Sequence, residues 1–351
     1  MVSDGRRIGA HLPVGSGHVR TAERAHEIGA TALQVFSDNP SSWRRRAGLP
    51  GDLAAYRERL AAHDIGPVAI HASYLVNLAG PDDDFYERSV ALLAGELAVA
   101  PAFGARFVNV HVGSHKGTGL AAGIERIAGG VARSLATADE TIDAGAGDER
   151  SEDPSAEANH AGPRAGSPHT RPMVVLENSA GSGFAVGTTF SEIAHLLDAI
   201  AARGVPAARV GMCLDTAHAW GAGFDLSSPA GVDDVLADID RLIGLGRLVM
   251  IHLNDSKASL GSRSDRHQHI GAGEIGAAGL ARILAHPRLE HVTYILETPG
   301  MDEGYDAVNL ARVRALQRGE PLEPLPPEAF DLPGGRDHVK GARRDPTAEA
   351  T

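Results

Sequence analysis

Apolar residues in this chain gather into eight short runs, at 7–12, 32–36, 68–72, 107–112, 173–177, 210–215, 248–253 and 293–297. Each has the length of a buried strand. Between them lie longer segments whose apolar residues recur every three or four positions, at 19–28, 53–63, 85–98, 124–137, 190–203, 232–242 and 278–285. That spacing predicts amphipathic helices. Strand and helix in regular alternation predict an α/β fold with a parallel sheet covered by helices, and eight such units are the number that closes a (β/α)8 TIM barrel. An open, doubly wound sheet is the competing arrangement.

Two segments stand outside the alternation. Residues 138–172 are rich in Ala, Gly, Ser, Pro, Asp and Glu and have no periodic apolar face, so a disordered insertion is expected there. Residues 318–351 form a Pro-rich, charged tail, expected to be disordered in part. The remainder, to residue 317, is expected to form a single catalytic domain.

An apolar content of 43% over 351 residues is enough to bury a substantial core. No run reaches the ~18 apolar residues of a membrane span. The first residues lack an apolar segment of the signal-peptide kind, and the one cysteine, Cys213, excludes an intrachain disulfide framework. A cytoplasmic protein is expected. The net charge of −12 looks wrong for a nucleic-acid binder, but 138–172 holds −5 of it and 318–351 holds −2. Bound dications would cancel four more of the negative charges, those on Glu177, Asp215, Asp265 and Glu297.

Those four carboxylates belong to a set. His71, His111, Glu177, Asp215, His218, His252, Asp265, His267 and Glu297 all fall at the C-terminal end of a strand or in the loop after it. Barrel enzymes place their chemistry there. Every one can ligate a borderline dication such as zinc. Nine donors are too many for one ion, since a tetrahedral site takes about four. A cluster is implied, and clusters of two or more metals usually act on phosphate esters. His160 and His169 lie in the insertion and are not expected to ligate.

Three stretches are specific enough to identify a family: His-Ala-Ser-Tyr-Leu-Val-Asn-Leu-Ala at 71–79, Gly-Met-Cys-Leu-Asp-Thr-Ala-His at 211–218, and His-Leu-Asn-Asp-Ser-Lys at 252–257 with Asp-Arg-His at 265–267. With Leu-Glu-Asn at 176–178 and Leu-Glu-Thr at 296–298, the chain closely resembles the endonuclease IV family, zinc-dependent apurinic/apyrimidinic endonucleases of base-excision repair. The resemblance covers about residues 7–316 apart from the insertion. It implies three zinc ions: one on His71 and His111, bridged by Glu177 to a second on Asp215, His252 and Glu297, and a third on His218, Asp265 and His267. It implies hydrolysis of the phosphodiester 5′ to an abasic site in double-stranded DNA, trimming of blocked 3′ ends, and action as a monomer. Tyr74 and Leu75 match positions that push into the duplex beside the lesion, and Asn39 and Trp43 fall in a loop that touches DNA in the family.

The chain departs from the family pattern at Ser41, where some members carry a wedge arginine, with Arg44, Arg45 and Arg46 close by. It departs again at Ala217 and at Gly271-Ala272-Gly273. His11 is expected to support a ligand rather than act as one, and Lys257 sits either on a phosphate or in solvent. Two other classes compete. A xylose-isomerase-like sugar isomerase or epimerase on the same barrel would need only Glu177, Asp215, His252 and Glu297. A lesion-binding protein without catalysis would have no need of the full donor set.

Overall fold

The computed structural model describes residues 5–149, 171–301 and 303–332. Its parallel strands are β1 (Arg7–His11), β2 (Ala32–Val35), β3 (Val68–His71), β4 (Ala105–His111), β5 (Met173–Glu177), β6 (Val210–Asp215), β7 (Leu248–His252) and, after a small antiparallel pair β8 (Asp255–Ser256) and β9 (His267–Gln268), β10 (Thr293–Leu296). They close into one ring in the order β1, β10, β7, β6, β5, β4, β3, β2. Closure excludes the doubly wound sheet.

The outer helices are α1 (His18–Glu27), α2 (Leu53–Ala62), α3 (Asp83–Val99), α4 (Leu120–Glu149), α5 (Phe190–Ala201), α6 (Thr216–Ala222), α7 (Pro229–Leu242), α8 (Gly276–Ala285) and α9 (Tyr305–Arg318). Local chemistry sets their starts. Asp82 accepts from Phe85 N at 2.7 Å ahead of α3, and Thr189 accepts from Glu192 N at 3.2 Å ahead of α5. Ser228 caps α7, with Pro229 in its first turn. These are side-chain answers to the unpaired N–H groups of a helix start.

Most of the core lies between strands and helices. A second cluster plugs the ring itself, with one residue from each of seven strands: Ala32, Ala69, Phe107, Val175, Cys213, Met250 and Ile295. On β1 the matching residue is Gly9, where a Cβ would lie 1.7 Å from the carbonyl oxygen of Ala32, so only glycine fits.

One expectation changes, and two further segments gain a description. The fourth helix does not stop near 137 but runs to Glu149, with Asp139 paired to Arg209 and Arg171 and Asp143 to Arg171. The polar composition of 138–145 is therefore that of a helix end with charged, largely solvent-facing side chains. The expected disorder beyond it, with His160 and His169, lies outside the described residues. The polar stretch 305–318 forms α9, whose inward face buries Asp306, Asn309 and Arg312 and so lacked a clean apolar period. The first part of the tail packs on the body: Arg312 Nη1 donates to Glu323 O at 2.5 Å, and His269 Nε2 meets Ala329 O at 2.8 Å. The rest of the tail lies outside the described residues.

Candidate metal centre

Side chains alternate faces along a strand, so the residue two places beyond an inward one also points inward, a layer higher. Stepping two residues up from Gly9 and the apolar plug gives His11, Gln34, His71, Asn109, Glu177, Asp215 and His252, one from each of seven strands, and Glu297 just past the end of β10. An apolar layer is thus capped by a polar one. Register aligns it further, with Glu177 beside His111 and Asp215 beside His252. His111, two residues past Asn109, rises above the layer and is half-exposed. His218 comes from α6, which Asp215 Oδ1 starts by accepting from His218 N at 2.8 Å. Asp265 and His267 come from the excursion after β7.

All nine expected ligands meet at this mouth. Potential donor atoms come within 4.8 Å of one another in three groups: His71, His111 and Glu177; Glu177, Asp215, His252 and Glu297; Asp215, His218 and His267. Glu177 divides its oxygens between two of them. Oε2 lies 3.8 Å from His71 Nε2 and 3.6 Å from His111 Nε2, while Oε1 lies 3.3 Å from His252 Nδ1. Asp265 joins the third group, with Oδ2 3.2 Å from His218 Nε2 and Oδ1 3.1 Å from His267 Nε2.

The donors fit dications. Glu177 Oε1, His252 Nδ1 and His267 Nε2 are buried and have no hydrogen-bond partner among the described residues. Such an atom costs about 1–3 kcal/mol unless something satisfies it. Cations in the second and third groups would satisfy all three, and a donor set of imidazoles and carboxylates without thiolate suits zinc. The charges press in the same direction. Burial opposes ionisation of Glu177, yet the positive charges of His111 and His252 hold its carboxyl well below the usual carboxylate range. Burial likewise disfavours a charged His267, yet Asp265 and Asp215 push it up to about 9. His71, dominated by burial, is pushed down to about 3.

The candidate ligands are held from behind. Asn109 Nδ2 donates to Glu177 Oε2 at 2.6 Å, and Asn254 Nδ2 donates to Asp215 Oδ2 at 2.8 Å. Asn254 Oδ1 accepts from Glu297 N at 2.9 Å. His11 stays a support, its Nδ1 3.2 Å from Glu297 Oε1. The Gly271–Gly273 departure is accommodated: the carboxylate of Asp255 accepts from Gly273 N and Ile275 N at 3.0 Å each and so ties that loop down. Sequence reasoning missed Gln34 and Asn109. The available signal was an amide inside an apolar strand, Ala-Leu-Gln-Val and Phe-Val-Asn-Val.

Around the rim, Tyr74 is 43% exposed and stands against Phe36 with ring centroids 5.2 Å apart. Leu75 is half-buried on the core. Trp43 is half-buried, edge-on to Phe85 at 4.9 Å. Asn39 is exposed, its Oδ1 accepting from Ser41 N at 3.0 Å. Of the nearby arginines, Arg45 pairs at 2.8 Å with Glu96, a buried carboxylate that also accepts from Ser37. Arg45 is therefore committed inward, and Arg44 and Arg46 are the exposed members of the run.

Fold and site together define a (β/α)8 barrel protein with a shared carboxylate and imidazole cluster at its C-terminal mouth. The family model described as a xylose isomerase-like TIM barrel matches residues 22–318. A protein of Methanoculleus marisnigri named probable endonuclease 4 is 39% identical over 309 residues, 88% of this chain and 98% of that one. One of Oleidesulfovibrio alaskensis with the same name is 40% identical over 310 residues, 88% and 94% of the two chains. The crystal structure of endonuclease IV from Thermus thermophilus aligns with a TM-score of 0.71 at 36% identity, covering 89% of this chain and 99% of that one. The chain belongs to the endonuclease IV family. A D-tagatose 3-epimerase-like protein, 13% identical with a TM-score of 0.57, shares the fold alone. Among the described residues no helix is long and apolar enough to cross a membrane.

Proposed function

We propose that this protein is a DNA-repair hydrolase that cuts the phosphodiester 5′ to abasic sites in double-stranded DNA, leaving a 3′-hydroxyl and a 5′-phosphate, and that it also trims blocked 3′ ends. Membership of the endonuclease IV family supports the substrate. The observation that carries the chemistry is Glu177, whose two oxygens face two different donor groups, 3.6 Å from His111 Nε2 and 3.3 Å from His252 Nδ1. A one-metal or two-metal isomerase needs only Glu177, Asp215, His252 and Glu297, and has no use for the extra set His71, His111, His218, Asp265 and His267.

Three zinc ions would be held by His71, His111 and Glu177; by Glu177, Asp215, His252 and Glu297; and by His218, Asp265 and His267. When bound, such ions supply Lewis acidity, neutralising phosphate charge and making water nucleophilic near neutral pH. Glu177 is the bridging carboxylate. Asn109 and Asn254 fix the carboxylates so that their lone pairs face one centre. Tyr74 and Leu75 take the space vacated beside the lesion, since an abasic nucleotide lacks the stacking and pairing that oppose flipping. Asn39 and Trp43, from the loop after β2, would touch the DNA. The donor set is complete within one chain, which supports action as a monomer; the cytoplasm is the proposed location, as the single cysteine leads one to expect.

The test is incubation with a synthetic duplex containing one abasic site, with and without chelator, alongside metal analysis. Nicking that needs metal, with about three zinc ions per chain, is expected. One ion per chain and no nicking would favour a sugar isomerase.

A further inference from the structure

Gln34 on β2 is fully buried and belongs to no motif that marks the site. Its side-chain amide touches two of the donors proposed above. Nε2 lies 2.6 Å from Glu297 Oε1, and Oε1 lies 3.2 Å from His252 Nε2. A carboxylate can only accept, so the amide nitrogen must face Glu297. The amide oxygen is then turned to His252, and it too can only accept. The hydrogen of the neutral His252 ring must therefore sit on Nε2. That leaves Nδ1 bare, and Nδ1 is the atom that faces Glu297 Oε2 at 3.2 Å and Glu177 Oε1 at 3.3 Å.

Three other imidazoles of the donor set are arranged the opposite way, and by backbone. His71 Nδ1 lies 2.7 Å from Ala72 O, His218 Nδ1 lies 2.9 Å from Asn178 O, and His267 Nδ1 lies 2.8 Å from Glu297 O. Each carbonyl accepts the Nδ1 proton and turns Nε2 to the centre. At His252 alone among these four does a side chain set the tautomer.

We propose that Gln34 is a positioning residue, one amide that presents His252 through Nδ1 and orients Glu297 toward the same cation. The proposal rests on the reading of the mouth as a cation cluster. Zinc alone is the probe, added to the full chain. Gln34→Met keeps the length of the side chain and removes both of these contacts, together with that of Nε2 to His11 Nδ1 at 3.1 Å. Its zinc affinity is expected to fall about 10–100-fold for one ion, with the other ions unchanged. In the zinc-loaded wild type the His252 Nε2 proton gives a slowly exchanging ring N–H resonance, assigned by its loss in His252→Gln. That resonance exchanges rapidly in Gln34→Met and is kept in Gln34→Glu, which retains the acceptor. Unchanged zinc affinity in Gln34→Met would overturn the proposal. So would weaker binding with the ring proton undisturbed, because that pattern marks a purely structural residue. A wild-type chain that holds no zinc would remove the cluster reading and the proposal together, before any variant is compared.

Discussion

Asn109 donates its side-chain amide to Glu177 Oε2 across 2.6 Å, with both residues buried in the polar layer of the barrel. The bond leaves the carboxylate a fixed orientation and holds its second oxygen toward His252. Asn109→Leu removes the donor and leaves the shape largely intact. Zinc affinity measured against a competing chelator is expected to drop about 10–100-fold. Wild-type affinity in that variant would show that Glu177 needs no such support.

Glu177→Gln removes the charge that two donor groups share. Nicking of an abasic duplex is expected to fall by at least roughly 100-fold, on the scale of losing an electrostatic partner of the transition state. Thermal unfolding of the variant should stay cooperative. Nicking near the wild-type rate would end the bridging role.

Tyr74 presents a 43% exposed ring at the rim, so its removal spares the core. Tyr74→Ala should lower kcat/KM on abasic duplex about tenfold, the scale of one lost aromatic contact with a base, mostly through KM. An unchanged KM would place the ring off the DNA.

Stability of the metal-free chain should depend on pH through His267. Burial disfavours its charge, but Asp265 and Asp215 raise it from 6.5 to about 9. A folded-state value above the unfolded one stabilises the fold fully below pH 6.5, and that contribution is lost as pH rises through about 9. His218 and His252 are raised too, despite their burial, so they act with the same sign. Melting temperatures in chelator should fall between these limits. A flat profile would mean that the imidazoles are neutral without metal.

The tail residues just past α9 give acceptors to two buried donors, Glu323 O to Arg312 and Ala329 O to His269. A chain ending at Gly319 strands both. It should be less stable by about 2 kcal/mol or more than a chain ending at Leu332, read by denaturant unfolding. Equal midpoints would show that water replaces the tail.

Much of this was legible in the chain. The eight apolar runs all became barrel strands, and the nine candidate ligands were visible as His, Asp and Glu at run ends or in the segments after them. The helix at 138–149 was not, because its charged side chains mask any apolar period, and α9 hid behind the buried polar residues Asp306, Asn309 and Arg312. The loops proposed to face DNA were legible only as motifs. That Arg45 turns inward to Glu96 depends on α3, which is distant in sequence.

Sequence alone determined the parity of the site. In strand after strand a polar residue follows two places beyond an inward apolar one, as in Cys213 and Asp215 or Met250 and His252, and a period of two puts both on the same face. It also determined the donor types, hence the class of cation. Only tertiary structure decided which donors share a carboxylate, and which nitrogen each imidazole offers. Those depend on ring closure and strand register, which bring Gln34 to His252 and Asn109 to Glu177 across 218 and 68 residues of chain. Hydrogen-bond geometry of that kind is set by contacts between strands, and no pattern within one strand encodes it.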